Sequence, residues 1–243
     1  MNNAAILIDG GYLLKRLPAV RPDVDASDPD AVATSVYQLV RHHLDQLNDV
    51  YCIPNPSQLL YRTFYYDARP YAGKAHTPVG NRPIDYARTS QALFRERLFK
   101  RLHGQPNLAV RLGEVRKDPS RSWILREGPQ KAVLKGRIAI GDLSDADFTP
   151  ALRQKGVDMR IGLDIASITL KRQADVIILV SGDADFVPAA KLARREGVKF
   201  ILDPLWQDIP ADLFEHIDGL RSGFYRPRHD NARRVRAPAR SDP

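Results

Sequence analysis

The stretch "VIILV", residues 176 to 180, is apolar at every position, and the polar "SGDAD" follows it at once. A strand with one wet face alternates apolar and polar side chains, so an unbroken run of this kind implies cover on both faces. "AAILID", residues 4 to 9, has the same character and closes on an aspartate before the turn-forming Gly10-Gly11. With helical patterns between such strands, the expected fold is α/β: a mainly parallel sheet between two layers of helices. Both strands also deliver carboxylates to their carboxyl ends, and a charge at the end of a core strand is costly unless something compensates it.

Strand and helix patterns alternate along the chain. "PDAVATSVYQLVRHHLDQL", from Pro29 to Leu47, places apolar residues at 32, 36, 39, 40, 44 and 47, the spacing of a helix. "SQLLYRTFYYDA" reads as a strand ending near Asp67, "RPYAGKAHTPVGNRP" as a long loop, and Ile84 to His103 as a helix that is basic on one side. "NLAVRLGEVR" is a further strand. "SWILREGPQKAVLKGRIAI" suggests a strand, a Gly-Pro turn and a returning strand, an extra β-hairpin at the sheet edge. "VDMRIGLDIASITLKRQ" is a helix, "PAAKLARREG" another that stops at Gly197, and "VKFILD" the last core strand. The organisation expected is one domain over residues 1–222 and a basic, disordered tail over 223–243.

Composition narrows the partners. Of the formal net charge of +8, residues 221–243 contribute +5 through seven arginines and two aspartates, which leaves 30 basic and 27 acidic groups elsewhere. An arginine-rich end favours polyanions by neutralising phosphates, or else is a solvated end that aids solubility. Cys52 is the only cysteine, which excludes an internal disulfide and a cysteine-rich zinc site. No apolar run approaches the roughly 20 residues of a membrane span, and the first residues lack the pattern of a secretory signal. A cytoplasmic setting is expected.

In an open parallel sheet, ligands collect beyond the carboxyl ends of the strands. Asp9 lies at such an end, and Asp183 and Asp185 lie just past another. Asp158 and Asp164 stand six residues apart on the helix that precedes "DVIILV", on different stripes, so Asp158 would approach from the helix end and Asp164 from its first turns. Each alone reads as a turn or cap residue. Together they would repel one another, and a hard divalent cation, Mg²⁺ or Mn²⁺, would resolve that repulsion. Such an ion hydrolyses phosphodiesters without a His, Cys or Ser nucleophile.

The segments "ILIDGGYL", "KGVDMRIGLDIASI" and "VSGDADFVPAAKLARREGVKF" closely resemble the signature stretches of NYN domains, PIN-like nucleases of the bacterial LabA/DUF88 type. The resemblance covers the first strand and residues 155 to about 205 well. It covers residues 50 to 110 by element order and an insertion around 111–152 poorly. It implies a Rossmann-like, three-layer sandwich with strand order 3-2-1-4-5 and a metal-dependent ribonuclease site. Carried over by position, Asp9, Asp164 and Asp183 match the acidic core, with Asp158 and Asp185 as further acidic positions and metal ligands. The chain departs from many NYN domains in reading Asp9-Gly10-Gly11-Tyr12, where an asparagine shortly follows the first aspartate.

The partner expected is RNA, single-stranded or structured, with no membrane; a homodimer is compatible with the sequence. Lys155, Tyr12, Lys15 and Ser181 are the candidate substrate-binding residues near the edge. Tyr65, Tyr66 and Tyr71 read either as stacking platforms or as core. A second copy of the motif, "SDADF" at 144–148, precedes Thr149-Pro150, a pair that fits the start of a short helix. Its Asp142, Asp145 and Asp147 are therefore expected outside the metal site. A non-catalytic RNA-binding module is the competing reading. A phosphatase of the HAD type would need an aspartate two residues after Asp9, where Gly11 stands. A glycosyltransferase Asp-x-Asp leaves Asp9 and Asp164 unexplained.

Overall fold

A computed structural model describes residues 3–226. β1 (Ala4–Asp9) runs directly into α1 (Gly10–Val20), and α2 (Pro29–Tyr51) follows. Next come β2 (Leu60–Arg69), the short β3 (Lys74–His76) and β4 (Pro83–Asp85), α3 (Ser90–His103) and β5 (Leu108–Lys117). β6 (Trp123–Leu125), α4 (Glu127–Leu134), β7 (Phe148–Pro150) and β8 (Leu152–Lys155) make up the next stretch. The chain then runs through α5 (Val157–Leu170), β9 (Val176–Val180), α6 (Val187–Arg195), β10 (Lys199–Asp203), α7 (Ala211–Phe214) and β11 (Gly219–Leu220).

Seven strands form one sheet in the order β11-β10-β9-β1-β2-β5-β8. All neighbours are parallel except β5 and β8. The five long parallel strands realise the expected 3-2-1-4-5 order. Ile6, Ile8, Ile178 and Val180 face a core shared with α1, α2 and α3, whereas Leu7, Ile177 and Leu179 face one shared with α5 and α6. This is why β1 and β9 show no polar alternation: every side chain is covered, and each large one contributes about 1.5–3 kcal/mol.

Local signals set the helix ends. Asp28 accepts the N–H groups of Asp30 and Ala31 ahead of Pro29, which starts α2, and its six anticipated apolar positions are all buried. α6 ends before Gly197, whose φ of 83° suits the residue that closes a helix. No helix among the described residues is long and apolar enough to cross a membrane.

Three local expectations are corrected. The helix expected from Ile84 begins at Ser90, because Pro83–Asp85 pair with β3 in a small hairpin and Thr89 caps α3 through Ala92 N–H. The hairpin expected over 122–140 is absent: Gly128-Pro129 lie in the first turn of α4, where a proline is tolerated, and β6 pairs instead with β7. That pairing also claims Thr149-Pro150, so the segment expected to open a short helix is a strand.

Residues 223–226, assigned to the tail, pack on the domain. Phe224 joins the α1/α2 core, and Gly223 N–H donates to Asp203 Oδ2 at 2.9 Å. The arginines at 228, 233, 234, 236 and 240 lie outside the described residues.

Candidate functional site

The carboxyl ends of β1, β9 and β2 meet at the centre of the sheet. Asp9 is the last residue of β1 and pairs with Tyr66 of β2, while Ile8 pairs with Val180 of β9. Ser181 therefore follows β9 beside Asp9, and Asp183 comes two residues later. Asp9 Oδ1 accepts Tyr12 N–H at 3.0 Å and so caps α1. Gly10 is obligatory here, since a Cβ would come within 2.5 Å of the Tyr65 ring that slides beneath the start of α1. Asp183 Oδ1 accepts Asp185 N–H at 3.0 Å and caps the turn Ala184–Phe186. Both aspartates thus perform the capping work their positions suggest, and one oxygen of each suffices for it.

Asp158 reaches the same edge from the first turn of α5, and its charge environment shows how near the others are. Burial raises the Asp9 carboxyl from 3.8 to about 6, and the negative charges of Asp158 and Asp67 add to the effect. Only backbone N–H groups, those of Tyr12 and Gly11, oppose the rise. Burial, then Asp183 and Asp185, raise the Asp158 carboxyl too. Asp9, Asp158, Asp183 and Asp185 thus form one chain of mutually repelling carboxylates.

Asp164 has partners of its own. It stands about 9 Å further along α5 than Asp158, at 1.5 Å per residue. There Arg111 grips both its oxygens, at 2.8 and 3.0 Å, and Tyr66 donates its hydroxyl at 2.8 Å. Tyr66 lies directly opposite Arg111 across β2 and β5, so the three form a ledge just below the site. Ser181 is buried, its Oγ accepting Asp183 N–H at 3.4 Å, which fits a brace for the loop. Tyr12 donates its hydroxyl to Pro204 O at 2.6 Å and lays its ring against Gly182, tying α1 to the β9 and β10 loops. Lys15 on α1 and Lys155 at the end of β8 are exposed. Tyr65 and Tyr66 are wholly buried, as the core reading has it, while Tyr71 is partly exposed.

The second "DADF" lies elsewhere. Asp145 accepts the N–H groups of Val79 and Gly80, pairs with Arg82, and has its carboxyl held well below the usual range, first by Gly80 N–H. It ties the loop before β4 to the β6–β8 stretch, together with Trp123, whose ring N–H donates to His76 O.

Two further strand-end aspartates were not counted among the candidates in the sequence. Asp67, near the end of β2, is fully buried and paired with Arg95 of α3, yet its Oδ2 has no hydrogen-bond partner among the described residues. Burial raises its carboxyl, against the pull of Arg95. The signal was present in "FYYDA", an acid closing an apolar strand like Asp9. Asp203 closes β10 in the same way, but Leu205 N–H, Gly223 N–H and His43 satisfy it, and its role is structural.

Residues 131–205 match the model of the NYN domain. The NYN domain belongs to the PIN-like superfamily, and the match covers less than a third of the chain. No curated protein and no solved structure matches the chain. The matched span holds α5, β9 and Asp158, Asp164, Asp183 and Asp185; Asp9 precedes it and lies beside it through the β1–β9 pairing.

The donor set suits a hard divalent cation, being oxygen-only, negatively charged and uncompensated at Asp9 and Asp158. Among the described residues no three His, Cys, Asp or Glu side chains converge closely enough to enclose an ion. Mg²⁺ does not require that, because it keeps several waters and takes one or two carboxylates directly.

Proposed function

We propose that the NYN domain of this chain is a Mg²⁺- or Mn²⁺-dependent ribonuclease that hydrolyses RNA phosphodiesters internally, in the cytoplasm. The observation that carries this reading is the uncompensated carboxylate edge, with Asp9 pushed to about 6 by burial and by its acidic neighbours. A protein gains nothing in stability from such repulsion, so a cation is the natural partner. The PIN-like membership supports the same chemistry.

Asp9, Asp158, Asp183 and Asp185 would hold the cation. When bound, it would polarise the scissile phosphate and lower the pKa of the attacking water. Asp9 and Asp183 are fixed for this task by their own caps, which leave little side-chain freedom to lose. Asp164 acts one step back: it orients Arg111, whose half-exposed guanidinium offers donors to a phosphate beside the edge. Lys15 and Lys155 supply further positive charge for the backbone, and Tyr12 and Ser181 hold the loops in place.

The splay of the four carboxylates favours a second reading, a non-catalytic RNA-binding module. Cleavage of end-labelled single-stranded RNA separates the two. Wild type should cut with Mg²⁺ or Mn²⁺ and stop with EDTA, and a folded Asp183→Asn should be inactive. Salt-sensitive binding without cleavage under any metal would transfer the assignment to the binding module.

A further inference from the structure

Beyond the end of β2 opens a cleft of about 240 Å³, lined by Tyr71 and Tyr86, by Gln91 and Arg95 of α3 and by Gln154 of β8. It has room for roughly eight waters at about 30 Å³ each, enough for a planar heterocycle. The two tyrosine rings meet edge to face, 5.4 Å apart at 61°. They are fixed in place. Gly73 lies so close under Tyr71 that a Cβ there would be 2.2 Å from its hydroxyl oxygen. Gly73 O also accepts Tyr86 N–H at 3.1 Å, and Thr89 Oγ1 donates to Tyr86 O at 2.8 Å.

The charge of the cleft selects its ligand. Arg95 is its cation, but that charge is already answered by buried Asp67. A phosphate would find little net attraction, whereas an uncharged ring finds aromatic walls and two exposed glutamine amides, each able both to donate and to accept. The position fits as well: Asp67 binds Arg95 on one side and bears on Asp9 through its charge on the other. Exposed Lys74 is available outside for the backbone, and Arg88, paired with Asp85 at 3.6 Å, is exposed beside it.

We infer that this cleft receives one unpaired base of a single-stranded RNA whose backbone crosses the Asp9 edge; the inference rests on the ribonuclease reading for its substrate class. Base–aromatic contacts of this kind are worth about 1–3 kcal/mol, or roughly 5- to 150-fold in affinity.

The test is binding, in EDTA, of single-stranded oligoribonucleotides carrying fluorescent 2-aminopurine at successive positions. One position should be quenched by wild type and by Tyr71→Phe. Tyr71→Ala and Gln154→Ala should lose the quench and bind about 5- to 150-fold more weakly, with thermal unfolding confirming that both are folded. An abasic site at that position should weaken wild type by the same factor and leave Tyr71→Ala unaffected. Equal affinity of wild type and both variants, or additive losses from the abasic site and Tyr71→Ala, would overturn the subsite. So would free nucleoside monophosphates that bind as tightly as the oligomer, since the ligand would then be a nucleotide and not RNA. Because the assay needs no catalysis, position-specific quenching without cleavage in Mn²⁺ would uphold the cleft and sink the hydrolase. Cleavage without quenching at any position would do the reverse.

Discussion

Asp9 and Asp67 stand on neighbouring parallel strands one residue out of register, for Asp9 pairs with Tyr66 and Asp67 is the next residue along. Their fates differ. Asp67 is buried against Arg95, whereas Asp9 has only backbone N–H groups to set against burial and two acidic neighbours. The sheet thus neutralises one carboxylate of the pair and leaves the other needing a counter-charge.

The first consequence is a pH dependence of stability in the metal-free protein. The folded Asp9 carboxyl is raised from 3.8 to about 6, so between these values the native state binds its proton more tightly than the unfolded chain does. Stability from this group is full below pH about 4 and is lost as pH rises through about 6, by up to roughly 3 kcal/mol. Asn can keep the cap to Tyr12 N–H without the charge. In EDTA at pH 7.5, Asp9→Asn should therefore be more stable than wild type in urea, with the difference gone near pH 4. A variant less stable than wild type at both pH values would show that Asp9 is a structural cap and nothing more.

That prediction rests on a residue plain in the sequence, and the contrast with Asp164 explains what was legible. Strand-end aspartates announce themselves because an apolar run fixes both the strand and its end. The parallel sheet and both helix layers followed from such runs and from helical spacing, whereas the strand order came only from the resemblance to NYN domains. Position on a helix carries no comparable marker of tertiary partners, so the hold of Arg111 and Tyr66 on Asp164 could not be read from the sequence. Asp67 was passed over because its partner, Arg95, comes 28 residues later and pairs only through tertiary packing. The stretch from 122 to 150 misled because Gly-Pro serves equally as a turn and as a helix start, and long-range pairing of β6 with β7 decided the matter.

Asp164 and Asp183 should behave differently when neutralised. Asp183→Asn removes a proposed ligand and should lower metal-dependent cleavage by more than about 100-fold. Asp164→Asn only loosens Arg111; its loss should stay within about tenfold, with unchanged metal-concentration dependence. Single-turnover cleavage across a Mn²⁺ titration measures both, and an Asp164→Asn as inactive as Asp183→Asn would return Asp164 to the metal site.

Removing the partner of Asp67 should be costly. Arg95→Met leaves a fully buried carboxylate unpaired and should destabilise the protein by about 3–5 kcal/mol, with much of it recovered in the double variant Asp67→Asn/Arg95→Met. Urea unfolding of the cycle would contradict this if Arg95→Met fell by less than about 1 kcal/mol.

The domain should need residues 223–226. A chain ending at Ser222 loses buried Phe224 and the Gly223 N–H bond to Asp203, and should be about 3–5 kcal/mol less stable than one ending at Arg226. Equal melting temperatures for the two chains would place the domain boundary at 222 after all.

The central claim, that the carboxylate edge is built for a divalent cation, is tested most directly by calorimetric titration of Mn²⁺ into wild type and Asp158→Asn at pH 7.5. Wild type should bind Mn²⁺ specifically, and Asp158→Asn should bind at least about tenfold more weakly. No specific binding by wild type, or identical isotherms for the two proteins, would contradict the account.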